Sequence, residues 1–261
     1  MEFDFKKKFG QNFLQDKNVL QNIVKGTEID KDSLVIEIGP GSGNLTREIA
    51  KVAKQVLCYE IDKELEPILD ENLAEYKNVD IIFDDFMKRD PVFDIKKYDC
   101  SNIYVCANLP YYITTPIIEK LIECGINFKA ITIMIQKEVG ERFSAKPNTR
   151  DYASITVFLN YYFNIKKLFV VSRNAFIPKP NVDSIVIKLS SRENKEELKN
   201  KDLFFKLIRD SFKFKRKNLR NNLKGYDQKK IEEVLRKYKL DLGARAEQLE
   251  LNIFVDIANS L

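Results

Sequence analysis

The first residues in this chain whose types and spacing could do chemistry are one acid and three glycines. Residues 34–46 read Leu-Val-Ile-Glu-Ile-Gly-Pro-Gly-Ser-Gly-Asn-Leu-Thr. An apolar, β-branched run carries Glu37, stops at Gly39, Gly41 and Gly43, and gives way to a helical pattern at Asn44. Glycines accept positive φ and let a ligand approach the backbone. The helix N-terminus just beyond offers free N–H groups. Glu60 closes the next apolar run, Gln55–Tyr59, about twenty residues after the turn, where a carboxylate can accept both hydroxyls of a ribose. Together these residues point to a nucleotide-type cofactor. Alone, the glycines would serve equally well as a structural turn of an α/β domain. The third glycine arrives one residue too early for G-x-G-x-x-G, and no Gly-Lys-Ser/Thr follows to make a phosphate loop.

A second group follows downstream. Asn108-Leu109-Pro110-Tyr111 ends an apolar run with an amide, a rigid proline and an aromatic plate, a combination that can hold a flat, amine-bearing ring. Asp85 follows a third apolar run and is placed to reach the base of a nucleotide, although many Asp-Asp pairs are only solvated loop residues. Histidine is absent from the chain. That excludes Ser-His-Asp triads, histidine-dependent zinc sites and imidazole bases. Any reaction must run on a cofactor, carboxylates, tyrosines and amides.

These residues need an open α/β sheet to position them, since ligands bind there at the carboxyl ends of the strands. The pattern predicts a helix after Asp16 with Val19, Leu20, Ile23 and Val24 on one face, and strands at Gln55–Glu60, Val79–Phe83, Ile103–Ala107 and Ala130–Ile135. Helices are expected at Asp62–Tyr76, Thr114–Cys124 and Gln136–Phe143. A polar loop at 144–151 and strands at Ile155–Phe163, Lys167–Val171 and Val182–Leu189 complete a parallel, doubly wound sheet with a hairpin-like addition. Ser190–Lys195 is polar and irregular and marks a domain boundary, beyond which the pattern is helical throughout.

A chain of 261 residues, 44% hydrophobic, can build one large domain and one small one. No apolar run reaches the length of a membrane span, and the N-terminal lysines precede no signal-peptide core. Four cysteines without C-x-x-C spacing suggest reduced thiols and a cytoplasmic protein. The net charge of +5 is unevenly placed. Residues 191–261 carry 18 Lys and Arg against 12 Asp and Glu, so a basic C-terminal part on a nearly neutral body suggests a polyanionic partner.

The E-x-G-x-G-x-G turn resembles motif I of S-adenosylmethionine-dependent methyltransferases. Adding Gln11-Asn12-Phe13-Leu14, Asn108–Tyr111 and the F-x-P-x-P-x-V-D-S stretch at 176–184, the chain resembles the ribosomal RNA adenine N6-dimethyltransferases over essentially its whole length. Arg216–Leu223 and Arg245–Leu249 are similar to the small-subunit (KsgA-type) branch. The resemblance implies a Rossmann-like S-adenosylmethionine-dependent methyltransferase sheet over residues 1–190 with an N-terminal cofactor lid. It also implies a small all-helical rRNA-binding domain over 191–261, with Lys213, Lys215, Arg216, Lys217 and Arg220 meeting phosphates. Asn12 and Leu14 would line the methionine end of S-adenosylmethionine, Gly39 and Gly41 would contact it through backbone, Glu60 would bind the ribose, and Asp85 the adenine amine. Asn108, which also borders the cofactor, and the Leu109 carbonyl would accept hydrogen bonds from the target N6, with Tyr111 and Phe176 sandwiching the base. Tyr112 stands where the family more usually has Asn or His. The implied partner is 16S rRNA in an immature 30S subunit, met by a monomer without metal or membrane. Two other readings stay open: an Erm-type enzyme acting on 23S rRNA, and an assembly factor that has lost catalysis. The Leu of N-L-P-Y and the R-x-x-L-R-N-x-L stretch favour the 16S rRNA reading over the Erm-type one.

Overall fold

The computed structural model describes residues 13–111, 113–193 and 195–261. The chain runs through β1 (Phe13–Leu14), α1 (Lys17–Thr27), β2 (Ser33–Ile38), α2 (Asn44–Ala50), β3 (Gln55–Tyr59), α3 (Glu66–Leu73), β4 (Val79–Ile82), α4 (Pro91–Ile95), β5 (Asn102–Asn108), α5 (Thr114–Glu123), β6 (Ala130–Gln136), α6 (Lys137–Phe143) and α7 (Ser154–Tyr162). It continues through β7 (Phe163–Val171), β8 (Phe176–Ile177), β9 (Ser184–Ser191), α8 (Lys201–Ser211), α9 (Leu219–Asn222), α10 (Gln228–Lys237) and α11 (Leu251–Ser260).

Seven strands form one sheet in the order β4-β3-β2-β5-β6-β9-β7. The pairs β4–β3, β3–β2, β2–β5 and β5–β6 are parallel, and β9 is antiparallel to β6. All six residues of β2 are buried, as expected of a central parallel strand covered on both faces. On one face Leu20, Ile23 and Val24 of α1 and Leu45, Ile49 and Ala50 of α2 pack with Val35, Val56, Cys58 and Cys106 of the strands. Helix α1 starts where the sequence places it, with Asp16 Oδ1 accepting the N–H groups of Asn18 and Val19. A second, two-stranded ribbon pairs β1 with β8, Leu14 opposite Phe176.

Two expectations need correction. The segment Ile155–Phe163, expected as a strand for its β-branched and aromatic residues, is largely helix α7. Thr156, Val157, Leu159 and Tyr161 are buried along it, and Thr156 Oγ1 accepts the Ala153 N–H at 3.1 Å to close its first turn. Burial of an apolar stripe at helical spacing outweighs β propensity here. The expected N-terminal domain over 1–190 also differs: residues 141–165 group with the C-terminal part, while the break after Ser191 falls within the polar stretch 190–195. The chain forms two compact units, Met1–Gly140 with Lys166–Ser191, and Glu141–Ile165 with Arg192–Leu261. Tyr152, Val157 and Tyr161 enter the second unit because they share one apolar core with Phe204, Leu207, Leu219, Ile231, Leu235 and Phe254.

Candidate active site

The glycine turn is held from three sides. The Gly39 N–H donates to the Tyr59 carbonyl at 2.9 Å and the Gly43 N–H to the Pro40 carbonyl at 2.9 Å. Asn72 Nδ2 donates to the Ser42 carbonyl at 2.9 Å. All three glycines have positive φ, +74°, +59° and +80°. At Gly41 a Cβ would lie 2.7 Å from the Phe13 ring, whereas at Gly39 it would meet nothing within 4 Å. The backbone is thus covered by an aromatic ring at one glycine and open at the other.

Glu60, 4% exposed, reaches across from the end of β3. Its Oε2 accepts the Gly41 N–H at 3.1 Å and its Oε1 the Asp62 N–H at 2.8 Å. Burial raises its pKa, partly offset by these N–H groups. Glu37, 1% exposed, stands on β2 beside Cys58, whose thiol donates to Oε2 at 3.7 Å. Burial pushes its carboxyl up to about 8, and the Glu60 charge adds to the rise. At neutral pH Glu37 is therefore mostly a neutral acid, while Glu60 keeps two backbone donors that favour its anion.

The edge of β5 brings the second group to the same place. Asn108 closes β5 opposite Met134 of β6. The Leu109 N–H donates to the Met134 carbonyl at 3.1 Å and the Ile113 N–H to the Pro110 carbonyl at 3.2 Å, so the chain turns sharply into α5. The Tyr111 hydroxyl shares a 2.9 Å hydrogen bond with Ser184 Oγ, and burial raises its pKa. A cleft opens here, bordered by Leu14, Gly39, Gly41, Glu60, Asn108, Leu109 and Tyr111, with buried Glu37 also in its lining. It lies wholly in the first unit.

Of the expected cofactor and target residues, those seven meet at one cleft. Asp85 and Phe176 do not border it. Asp85 sits beyond β4 with Oδ1 accepting the Met87 N–H at 2.9 Å. Phe176 is 2% exposed and belongs to a buried apolar cluster, so of the two rings expected to sandwich the base only Tyr111 borders the cleft. Asn12 and Tyr112 lie outside the described residues. Sequence reasoning missed two residues that join the parts. Asn44 Nδ2 donates to the Leu14 carbonyl at 2.9 Å, tying the N-terminal ribbon to α2, and the signal was an amide where glycine or alanine is usual. Ser184 ties the 176–184 stretch to Tyr111, and its signal was its place at the end of that stretch.

In the second unit the basic run is not the helix expected of it. Residues 212–218 form a turn between α8 and α9. The Lys217 N–H donates to the Phe214 carbonyl at 2.9 Å, and Asn222 Nδ2 donates to the Ser211 carbonyl at 2.7 Å. Lys213, Lys215, Arg216, Lys217 and Arg220 are exposed. Leu219 is buried, as a residue packing on its own domain should be, but Phe214 is 57% exposed.

The family model of the ribosomal RNA adenine dimethylases matches residues 2–261. Ribosomal RNA small subunit methyltransferase A of Macrococcus caseolyticus is 45% identical over 99% of this chain and 90% of its own length. The protein of the same name from Clostridium botulinum is 46% identical over 100% of this chain and 95% of its own. Among solved structures, a dimethyladenosine transferase from Plasmodium falciparum is similar with a TM-score of 0.78 and 26% identity, covering 94% of this chain and 95% of its own. The 23S rRNA methyltransferase ErmE is similar with a TM-score of 0.76 and 26% identity, covering 96% and 99%.

Proposed function

The chain belongs to the ribosomal RNA adenine dimethylase family, and on that premise we propose that it methylates N6 of two adjacent adenines near the 3′ end of 16S rRNA. The methyl donor is S-adenosylmethionine and the products are N6,N6-dimethyladenosines. The substrate is an immature 30S subunit, met by a monomer in the cytoplasm. One observation carries this reading: Asn108, Leu109 and Tyr111 border the same cleft as Gly39, Gly41 and Glu60.

The residues present fit the cofactor. The open side of Gly39 admits a ligand to the backbone. Each Glu60 oxygen accepts one backbone N–H, and an ionised carboxylate has about four acceptor sites, so capacity remains for a ribose. Gly39, Gly41, Leu14 and Glu60 would hold the cofactor. When bound, S-adenosylmethionine supplies an electrophilic methyl group, so the cofactor carries the hard chemistry.

What the protein adds is position. An adenine amine is a poor nucleophile because its lone pair is delocalised into the ring. Asn108 and the Leu109 carbonyl accept its two N–H bonds, which favours a pyramidal nitrogen with a directed lone pair. Tyr111 supplies a face on which the unstacked base rests. Pre-paid orientation of this kind can lower a barrier by roughly 7–11 kcal/mol. No general base is needed before methyl transfer, because the amine attacks as the neutral species and loses its proton afterwards.

Methyl incorporation into undermethylated 30S particles, run beside protein-free 23S RNA, tests the reading. Label in the 30S particles alone supports it. Label in 23S RNA alone gives the Erm-type reading, and label in neither gives the assembly-factor reading.

A further inference from the structure

We propose that Phe214 is a stacking platform for an unpaired rRNA base, set in the basic turn of the second unit. The proposal rests on the reading that this protein docks on rRNA and adds the contact that fixes its register there.

Phe214 is 57% exposed in a turn whose neighbours Lys213, Lys215, Arg216 and Lys217 are all exposed cations. Hydrogen bonds pin the turn. The Phe214 carbonyl accepts the Lys217 N–H at 2.9 Å and lies 3.3 Å from Asn222 Nδ2. Lys215 Nζ donates to the Arg150 carbonyl at 2.7 Å, joining the turn to the 144–151 loop of the same unit. From Lys206 to Arg220 the only acid is Asp210, and its carboxylate accepts the Tyr226 hydroxyl at 2.7 Å. The segment that carries the ring is thus cationic, and Lys213 Nζ lies 5.7 Å from the ring centroid.

Phosphate contacts alone would leave the phenyl ring without a role in binding. A cationic groove with an aromatic side chain among its charges is the arrangement that binds single-stranded nucleic acid, with phosphates on the cations and a base on the ring. The partner must be polyanionic to match the charge and must offer a flat apolar face to match the ring, and an unpaired nucleotide is both. The hydrogen bonds at the Phe214 carbonyl reduce the backbone ordering that binding would require.

The chain contains no tryptophan, so Phe214→Trp places a sole reporter at the contact. Binding of the full-length protein to undermethylated 30S particles is measured at several salt concentrations. Phe214→Ala is expected to weaken binding about 5- to 100-fold by the same factor at each salt concentration, because stacking releases no counterions. Phe214→Tyr should restore affinity and Phe214→Leu should not. The emission of Phe214→Trp should be quenched on saturation with 30S particles. Wild-type affinity in Phe214→Ala overturns the proposal, as does unquenched emission. Wild-type affinity in Phe214→Leu does so too, since it would mean an apolar protein socket. In each of these cases methylation by the wild-type protein is untouched, so the functional reading stands. If the wild-type chain neither binds nor methylates 30S particles, both fall.

Discussion

Glu60 grips the glycine turn from the neighbouring strand, with Oε2 3.1 Å from the Gly41 nitrogen. Together with the Gly39 N–H to Tyr59 carbonyl bond at 2.9 Å, this contact joins β3 to the turn after β2, and it leaves acceptor capacity facing the cleft. Glu60→Ala should lower S-adenosylmethionine affinity by at least tenfold, since charge-assisted hydrogen bonds are worth about 1.5–3 kcal/mol each. Titration calorimetry checks this, and unchanged affinity removes Glu60 from the cofactor site.

Glu37 gives a pH signature. Its folded-state pKa is raised from 4.5 to about 8 by burial. The folded chain keeps a proton that the unfolded chain releases above about pH 4.5. Its contribution to stability is therefore full below that pH and is lost as pH rises toward about 8, at up to roughly 1.4 kcal/mol per pH unit. Glu37→Gln should flatten the fall of Tm between pH 5 and about 8. Thermal denaturation across that range reads the difference, and parallel profiles would place the Glu37 carboxyl in a more polar setting.

Asn108 and Tyr111 should separate turnover from cofactor binding. Asn108→Ala is expected to cut kcat by about a hundredfold or more, the scale of losing one preorganised hydrogen-bonding group, with cofactor affinity much less affected. Tyr111→Ala should cut kcat similarly. Tyr111→Phe should keep most turnover and lose only the Ser184 bond, worth about 0.5–1.5 kcal/mol of stability. Single-turnover methylation of 30S particles by these variants checks each role.

Replacing Lys213, Lys215, Arg216 and Lys217 with Ala should weaken 30S binding and flatten its salt dependence. Each phosphate contact contributes a slope of about 0.7–0.9. Cofactor affinity should be unchanged, because the cleft is lined by residues of the first unit alone. An unchanged salt slope would make these cations a solvated surface.

The parts legible in the sequence were those that depend on local rules. Gly39, Gly41 and Gly43 announce positive φ by their identity, and the period of Val19, Leu20, Ile23 and Val24 announces α1. The strand-end positions of Glu60 and Asn108 follow from where apolar runs stop. What was not legible depends on partners distant in the chain. Residues 155–162 have strand-like composition, and only the core they share with Phe204 and Phe254 decides for a helix. Lys213–Lys217 carries no glycine or proline to mark its turn, which is fixed instead by the side chain of Asn222. Phe176 reads as a free aromatic plate until its pairing opposite Leu14 and its burial are known.

Dimethylation of 16S rRNA is read out by mass spectrometry of rRNA digested from undermethylated 30S particles after incubation with the full-length protein and S-adenosylmethionine. The expected product is N6,N6-dimethyladenosine at two adjacent adenines in a fragment from the 3′ end of 16S rRNA, with loss of both in Asn108→Ala. Modification confined to another nucleotide, or no modification by a protein that binds the cofactor, would contradict the proposed function.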